Sequence, residues 1–245
     1  MLVIIPVKIN KFDLMKRFLF LLLSIFCYSC TQKDDNWSIL FNGEDLSGWH
    51  IYGGSENLNG WYVDNGVLVF DPALRTTAET ANLITDQVYT NFELSMDWMI
   101  SENGNSGLFW GVLEDEKFEH PYQTGPEIQI LDDDWDAYIN ERGNIQRAGS
   151  IFNVLAPSKI VSKPSGEWNS FLLRINHLNN EGSLDFNGER ILEFPVNGKS
   201  WQEMINQSGF KDWEGFGVQK EGRICLQDHG SKVAFRRIKV RELIN

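Results

Sequence analysis

The sequence predicts one all-β domain, an antiparallel β-sandwich, that follows an N-terminal leader. From Trp37 onward the chain consists of roughly a dozen short apolar segments separated by Gly, Asn and Asp, with little helical periodicity. Strands that do not alternate with helices favour a sandwich over an α/β fold. Since no internal repeat or low-complexity linker follows Asp35, we expect a single domain over residues 37–245.

The N-terminal residues are typical of an export signal. Met15 is followed by Lys16, Arg17 and the apolar run 18–26, which is too short for a permanent membrane span. We therefore expect Met15 to be the true start and residues 1–29 to comprise an upstream extension plus a signal peptide.

The end of this signal resembles the lipid-modified cysteine of bacterial lipoproteins. Ser29 precedes Cys30, and the acidic residues within 31–35 are similar to the signal of surface-exposed lipoproteins in Bacteroidetes. Lipidation at Cys30 would make residues 30–36 a tether and would place the protein at the outer membrane, periplasmic or surface-exposed, with the lipid anchor as its only membrane contact. The alternative is ordinary secretion with cleavage nearby.

Charge and cysteine content exclude several functional classes. The chain has a formal net charge of −12, so its surface should repel nucleic acid and suit a neutral substrate. After loss of Cys27 and lipidation of Cys30, only Cys225 would remain, which leaves no disulfide and no cysteine metal cluster. Cys225 stands between Ile224 and Leu226, a context that predicts a small core residue.

Two hairpins and one long strand are the clearest local predictions. Asn-Gly turns separate residues 61–63 from 67–70 and residues 183–186 from 190–194. Apolar and polar residues alternate along 92–100. We predict a turn at 104–107, a long binding loop at 132–147, one short helix at 200–205, and further strands at 38–41, 46–51, 108–113, 150–155, 167–176, 222–227 and 232–241.

The segment 125–134 predicts a strand with one polar face that could contact a ligand. Glu127 and Gln129 alternate with Ile128 and Ile130, so the two polar side chains share one face, about 7 Å apart by strand rise. The alternative is a solvated outer face.

A second polar cluster lies at residues 223–230. Arg223, Cys225 and Gln227 share one strand face, and His229 follows at the strand end. The neighbouring Asp228 could fix the tautomer of His229 and raise its basicity, which suits a general base. The alternative for His229 is a turn residue that caps a carbonyl.

Six motifs in order resemble the 3-keto-disaccharide hydrolase domain family over essentially the whole chain after the leader. They are LFNGEDLSGW at 40–49, GNSGLFW at 104–110, TGPEIQILD at 124–132, AGSIFNVLAP at 148–157, KPSGEWN at 163–169 and RICLQDHGSKVAFRRIKVREL at 223–243. The resemblance implies a concanavalin A-like jelly-roll β-sandwich of two antiparallel sheets, with a carbohydrate-binding concave face.

The same resemblance implies cleavage of glycosides that are already oxidised at C3. The ketone acidifies the C2 proton, so a base can remove it and the C1 oxygen can leave by elimination, after which water adds. This chemistry requires a base, an enolate stabiliser and an acid, but not the carboxylate pair of ordinary glycosidases. A sugar 3-dehydrogenase would be the functional partner that supplies the ketosugar.

From these segments we expect either Glu127 or His229 to be the catalytic base. A divalent metal held by both of them and a nearby Asp is possible, although the spacing is not diagnostic. A few of the nine Trp residues could stack on sugar rings. The expected substrate contacts are Asn105, Trp110, Gln129, Asp132, Lys163, Arg223, Gln227 and Asp228.

Several positions depart from the family pattern. Arg147 and Ser150 stand where relatives often have His and Asp, and Arg237 replaces the Asn of an FRNI motif. The segment 183–188 lacks the His of the HWLNG form. These departures leave open a second class of function, a noncatalytic lectin-like module that only holds glycan.

Overall fold

A computed structural model describes residues 36–243, and the predicted leader, the Cys30 lipidation site and nearly all of the tether lie outside these residues. The described part contains thirteen strands and two α-helices. The strands are β1 (Ser38–Ile39), β2 (Trp49–Ile51), β3 (Trp61–Asp64), β4 (Val67–Phe70), β5 (Leu83–Thr85), β6 (Phe92–Ile100), β7 (Asn105–Val112), β8 (Glu127–Leu131), β9 (Asn169–Asn176), β10 (Glu181–Phe186), β11 (Glu189–Phe194), β12 (Arg223–Leu226) and β13 (Val233–Glu242). The helices are α1 (Asp136–Arg142) and α2 (Gly198–Asn206).

The strands form two antiparallel sheets, which confirms the predicted sandwich. The first sheet has eight strands in the order β11-β10-β9-β6-β13-β4-β3, with β1 paired to β13. The second sheet has five strands in the order β2-β5-β12-β7-β8. The polar strand β8 is therefore at one edge of the smaller sheet, next to β7.

Both predicted hairpins form, and local backbone chemistry explains why. The turn between β3 and β4 places Asn65 and Gly66 at φ values of 48° and 82°. Asn187 and Gly188 adopt φ values of 50° and 84° between β10 and β11. Two consecutive positive φ angles are what a two-residue hairpin turn requires, and Asn followed by Gly tolerates them best.

The core lies between the two sheets and is rich in aromatic rings. Trp98 on β6 is fully buried, and its ring centroid lies 5.3 Å from that of Phe171 and 5.7 Å from that of Phe186. Ile128 and Ile130 of β8 are also fully buried in this core. Their burial leaves Glu127 and Gln129 on the opposite face, as the alternation predicts.

Three local predictions are wrong, and one strand was not predicted. Residues 132–147 are not a loop throughout, because α1 forms there around the buried Ile139. Residues 150–155 do not form a strand; Ile151 makes only isolated bridges, to Ile128 and Leu155. No prediction covers the strand β5, because a segment of only three residues shows no alternation. In the predicted turn at 104–107, Asn105, Ser106 and Gly107 belong to β7 instead.

Within residues 36–243, no helix is both long and apolar enough to cross a membrane.

Candidate functional site

The site begins with a row of residues across the outer face of the five-stranded sheet. The antiparallel register pairs Glu127 of β8 with Phe109 of β7, and Phe109 with Cys225 of β12. Cys225 in turn pairs with Ile84, which pairs with His50. The sheet register thus places the Glu127 carboxyl beside apolar neighbours. Cys225 is fully buried, as predicted, but in a small cluster on this outer face rather than between the sheets.

Gly107 provides the space that the Glu127 side chain occupies. A β-carbon built on Gly107 would lie 2.0 Å from Glu127 Oε1 and 2.8 Å from Glu127 Cγ. Since real side chains do not approach so closely, the carboxyl lies directly over the bare backbone of β7. Gly107 is required for this close approach and not for a turn. A glycine inside a strand was the sequence signal that could have identified its role.

The Glu127 carboxyl is buried. Only 9 % of the residue is exposed, and no donor within residues 36–243 contacts its carboxyl oxygens. Burial raises the pKa of the Glu127 carboxyl from its ordinary value of 4.5 to about 8, because the charged form loses its hydration. A carboxyl with such a pKa can accept or donate a proton near neutral pH.

The carboxyl faces a cavity of about 400 Å³, within the size range of roughly 300–1,000 Å³ that is usual for small-ligand sites. Segments that follow β7, β8 and α2 in the chain cover the sheet face and close its sides. The lining residues are Asn105, Phe109, Tyr122, Gly125, Glu127, Gln129, Tyr138, Arg142, Gln146, Phe152, Phe210, Trp213, Phe216, Gln227 and His229.

The two predicted polar segments therefore meet at one cavity. The backbone N–H of Gln227 donates to the Gly107 carbonyl at 2.9 Å, so the end of β12 continues alongside β7. This pairing sets Gln227 and His229 at the cavity that Glu127 and Gln129 also line. His229 is exposed at the edge, whereas Glu127 is buried.

Amide groups provide the polar part of the wall. The Gln129 Nε2 group donates to Asn105 Oδ1 at 3.2 Å. Gln227 Oε1 is buried and has no donor among the described residues, although the side chain lines the cavity. A buried acceptor without a partner carries a free-energy cost that a ligand hydroxyl would relieve.

The helix α1 contributes residues that sequence reasoning missed. Tyr138 and Arg142 line the cavity from α1, and Gln146 follows in a short 3₁₀ turn. The Tyr138 hydroxyl donates to Gln146 Oε1 at 2.7 Å, and burial raises the pKa of that hydroxyl, which keeps it protonated. A loop prediction for 132–147 cannot identify these residues, because only the helix α1 gives that segment a face that points to the cavity.

An aromatic wall stands on the remaining side. The Phe210 and Phe216 rings stack with centroids 4.0 Å apart, and the Trp213 and Tyr122 centroids are 5.9 Å apart. Trp213 is 39 % exposed, so it is the Trp available to pack against the apolar face of a sugar. Trp110, which we expected in this role, is buried on the core side with its ring 5.8 Å from Phe194.

Three other expected contacts lie outside this cavity because their polar groups are used elsewhere. Asp132, directly after β8, accepts the backbone N–H of Asn103 at 2.8 Å, and Asn103 lies in the turn before β7. Lys163 Nζ donates to the Trp168 carbonyl at 3.0 Å. Arg223 donates from one terminal nitrogen to the Thr85 carbonyl at 2.8 Å. None of the three is among the cavity-lining residues.

Asp228 supports the fold of the turn rather than the His229 ring. Its side chain is fully buried, pairs with Arg75, and accepts the N–H groups of Ala81 at 2.9 Å and Gly230 at 3.0 Å. The expected Asp228–His229 contact is therefore absent among the described residues. Asp228 also cannot complete the suggested metal site, and no three His, Cys, Asp or Glu side chains in residues 36–243 converge as ligands.

Comparison with known proteins identifies relatives over nearly the whole described chain. The family model described as "3-keto-alpha-glucoside-1,2-lyase-like domain" matches residues 36–241. A 3-keto-disaccharide hydrolase from Bacteroides thetaiotaomicron is 30% identical over 234 residues, which cover 85% of this chain and 79% of the relative.

Solved structures show the same fold. A Parabacteroides distasonis protein, provisionally named a glycosyl hydrolase, has 31% identity and a TM-score of 0.78, and the match covers 88% of this chain and 98% of that chain. A second such protein from the same organism has 25% identity and a TM-score of 0.63 over 84% and 99%. A Bacillus subtilis protein with a galectin-like fold, at 13% identity and a TM-score of 0.50 over 84% and 94%, shows the fold alone.

Replacement of Glu127 by Gln should change how stability depends on pH. The folded protein holds the Glu127 proton up to a pKa of about 8, whereas the unfolded chain releases it near 4.5, so this group costs stability as pH rises through that interval. Glu127→Gln should therefore be more stable than the wild type above pH 8, by on the order of a few kcal/mol, and nearly equal below pH 4.5. Urea denaturation at both pH values measures this difference.

The matched control is Glu193→Gln, because the Glu193 side chain is 77% exposed. It should change stability by less than about 1 kcal/mol at either pH, because its exposed ion pair with Arg190 is worth little. A difference between wild type and Glu127→Gln that stays constant with pH would contradict the burial argument.

Gly107→Ala should displace the Glu127 carboxyl, since the added methyl would overlap Oε1. The displaced carboxyl regains hydration, so its pKa should fall from about 8 toward 4.5. Carbon-13 NMR titration of the Glu127 side chain measures this change. Gly209→Ala is the control, because its β-carbon would meet no atom within 4 Å. An unchanged Glu127 pKa in Gly107→Ala would refute the role of Gly107.

Proposed function

The chain belongs to the family of 3-keto-alpha-glucoside-1,2-lyase-like domains, and on that premise we propose that it cleaves the glycosidic bonds of 3-keto-glycosides, including 3-keto-disaccharides. The observation that carries the proposal is the isolated Glu127 carboxyl in a sugar-sized cavity. A group that only bound sugar would gain nothing from losing its hydration, whereas a base gains strength from it.

Glu127 is the proposed base, and its burial favours it over His229. A 3-keto group makes the C2 proton acidic, but removal still requires a base with a pKa near the working pH. Glu127 has a pKa of about 8 and lies deep in the cavity, while His229 is exposed at the edge. At pH 7 roughly a tenth of Glu127 is ionised, and the ionised form is a much stronger base than an ordinary glutamate.

The proposed reaction then proceeds by elimination. Glu127 takes the C2 proton, and the electron pair of that bond forms the enolate with the C3 oxygen. The enolate collapses to a C1–C2 double bond as the C1–O bond breaks, and His229 donates a proton to the departing oxygen. Addition of water across the double bond, with hydroxyl at C1 and hydrogen at C2, would give the hydrolysis product.

Polar groups on the wall would stabilise the enolate oxygen. Asn105 and Gln129 carry amide N–H groups, Tyr138 carries a protonated hydroxyl, and Arg142 supplies a positive charge. Donors fixed by the fold in a mostly apolar cavity act strongly because little water competes with them. Trp213 would hold the apolar face of the ring.

The enzymatic proposal has a direct test. Wild-type protein should release the aglycone from a 3-keto-glucoside but not from its unoxidised parent, because only the ketone acidifies C2. Glu127→Gln should lower kcat/KM by at least roughly 100-fold, and wild-type kcat/KM should rise with pH toward a plateau above about 8, as the base form accumulates. Progress curves with both substrates, with and without a chelator, measure these effects.

Glu193→Gln serves as the control and should keep wild-type activity. Tight binding of the sugar by wild type with no turnover of either substrate would instead support the lectin-like alternative. Activity that disappears with the chelator would show that a metal takes part, and full activity in Glu127→Gln would remove Glu127 from the mechanism.

We also propose that a sugar 3-dehydrogenase supplies the substrate, because the C3 ketone must be introduced before cleavage. We further propose that the protein is exported and anchored by a lipid on Cys30. The support is the tripartite leader that ends at Ser29 and Cys30. In a bacterial host that processes lipoproteins, wild type should incorporate labelled fatty acid and sediment with outer membranes. Cys30→Ala should lose the label and appear in the soluble fraction, while Cys225→Ala keeps it. Unlabelled wild-type protein would contradict the anchor.

A further inference from the structure

The outer face of the eight-stranded sheet carries a strip of positive charge in an otherwise acidic protein. The chain has a formal net charge of −12, yet five cationic side chains project from neighbouring positions of β9 and β13. They are Arg174, Arg236, Arg237, Lys239 and Arg241, here termed the basic strip. The strip lies on the opposite side of the sandwich from the Glu127 cavity, which is on the outer face of the five-stranded sheet.

A β-bulge directs these side chains outward. Where β13 pairs with β6, it has one extra residue between Arg236 and Lys239. Strict alternation after the buried Phe235 would turn Arg237 into the core and Ile238 out of it. The extra residue reverses this outcome, because Ile238 is buried whereas 71% of the Arg237 side chain is exposed.

The backbone at the bulge is unfavourable for an arginine. Among the described residues, the non-Gly residues with positive φ are Asn59, Asn65, Asn103, Asn153, Asn180, Asn187 and Arg237. Asn tolerates this left-handed region well, so Arg237, with a φ of 53°, is the exception. It also stands where an FRNI motif carries Asn. An arginine kept against the backbone preference indicates that this position supplies charge.

Two buried carboxylates fix the strip but neutralise only part of its charge. Asp97 accepts hydrogen bonds from Arg236 Nε at 3.0 Å and from Arg237 Nε at 2.6 Å. Glu93 accepts from the other two arginines of the strip at 2.8 Å and 3.0 Å. Five cations against two carboxylates leave an excess of positive charge on side chains that are already ordered, so binding of an anion costs little side-chain entropy.

The strip surrounds the point at which the chain enters the domain. Lys239 Nζ and Arg241 Cζ each lie 4.8 Å from the centre of the Trp37 ring. The chain from Cys30 to Trp37 can span at most about 25 Å, whereas a domain of roughly 200 residues is about 40 Å across. A membrane anchor at Cys30 would therefore bring the side with the strip, rather than the cavity side, to the membrane.

The chemistry of the strip fits the phosphate groups of anionic phospholipids. A recess of about 570 Å³ opens beside the bulge, and Arg237 and Lys239 are among its lining residues. Guanidinium and ammonium groups bind phosphate well, and Trp is enriched where membranes meet water. The Debye length in physiological salt is about 8 Å, so the acidic residues on the far side of the sandwich are screened from a surface that touches the strip.

We propose that the basic strip docks on a membrane surface that contains anionic phospholipid, with lipid phosphates bound by Arg237 and Lys239. This contact adds to the proposed lipid anchor and keeps the Glu127 cavity open on the side away from the membrane. The inference goes beyond the proposed reaction, and it rests on the proposed Cys30 anchor only for the direction from which the membrane approaches.

The test uses the wild-type protein with vesicles of phosphatidylcholine alone or with about 30% phosphatidylglycerol. Mass spectrometry measures how fast acetic anhydride acetylates each lysine. Lys239 should react at least about fivefold more slowly with the anionic vesicles than with the neutral ones, and about 1 M NaCl should remove this protection. Lys117 and Lys199 are 56% and 91% exposed outside the strip and should react alike with both vesicles.

Arg237→Asn is the discriminating variant. Its Tm should equal or exceed that of the wild type, because Asn fits the backbone at this position. Loss of one cation should nevertheless raise the rate of Lys239 acetylation on anionic vesicles about fivefold. Lys117→Gln is the matched control, since it removes the same charge elsewhere and should leave the protection of Lys239 unchanged.

Equal Lys239 rates on the two kinds of vesicle would overturn the docking surface. Equal loss of protection in Arg237→Asn and Lys117→Gln would also overturn it, because only net charge would then matter. Protection by a soluble acidic polysaccharide as great as that by the vesicles would assign the strip to a different partner. The comparison requires neither cleavage of a sugar nor a lipid on Cys30, so it stands if either of those proposals fails.

Discussion

The site depends on one energetically costly arrangement: the Glu127 carboxyl is buried, and no hydrogen-bond donor within residues 36–243 contacts it. Glu127 is in this position because Ile128 and Ile130 bury the other face of β8 in the sandwich core. A one-residue shift of that strand would send both isoleucines to the outer face and the carboxyl into the core. Core packing therefore fixes the location of Glu127, and the chemistry of the site follows from that constraint.

The neighbouring strand β7 provides the space that the Glu127 carboxyl occupies. Gly107 has no side chain, so the carboxyl can lie over the backbone of β7, next to Phe109. Burial under the segments that cover the sheet raises the pKa of Glu127 to about 8. Polar amides surround the cavity without contacting the carboxyl. This separation, with donors on the wall and an unpaired acid at the base, suits proton transfer from a bound sugar more than simple retention of one.

At the His229 side of the site, the ion pair between Arg75 and the buried Asp228 fixes the position of a turn. Asp228 binds Arg75 and two backbone N–H groups, so the turn that carries His229 is fixed against the segment before β5. A buried ion pair contributes little net stability because desolvation offsets most of the attraction. Its role here is to hold the turn that brings Gln227 and His229 to the wall of the cavity.

The sequence by itself determined the two-sheet architecture, both hairpins and the inward and outward faces of β8, because alternation and Asn-Gly turns are local properties of the chain. It also identified Glu127, Gln129, Gln227 and His229, which lie at one cavity. Only the tertiary structure decided that Trp110 faces the core, that Asp228 binds Arg75 rather than His229, and that α1 brings Tyr138 and Arg142 to the site. Those outcomes depend on contacts between residues far apart in the chain, which strand periodicity cannot specify.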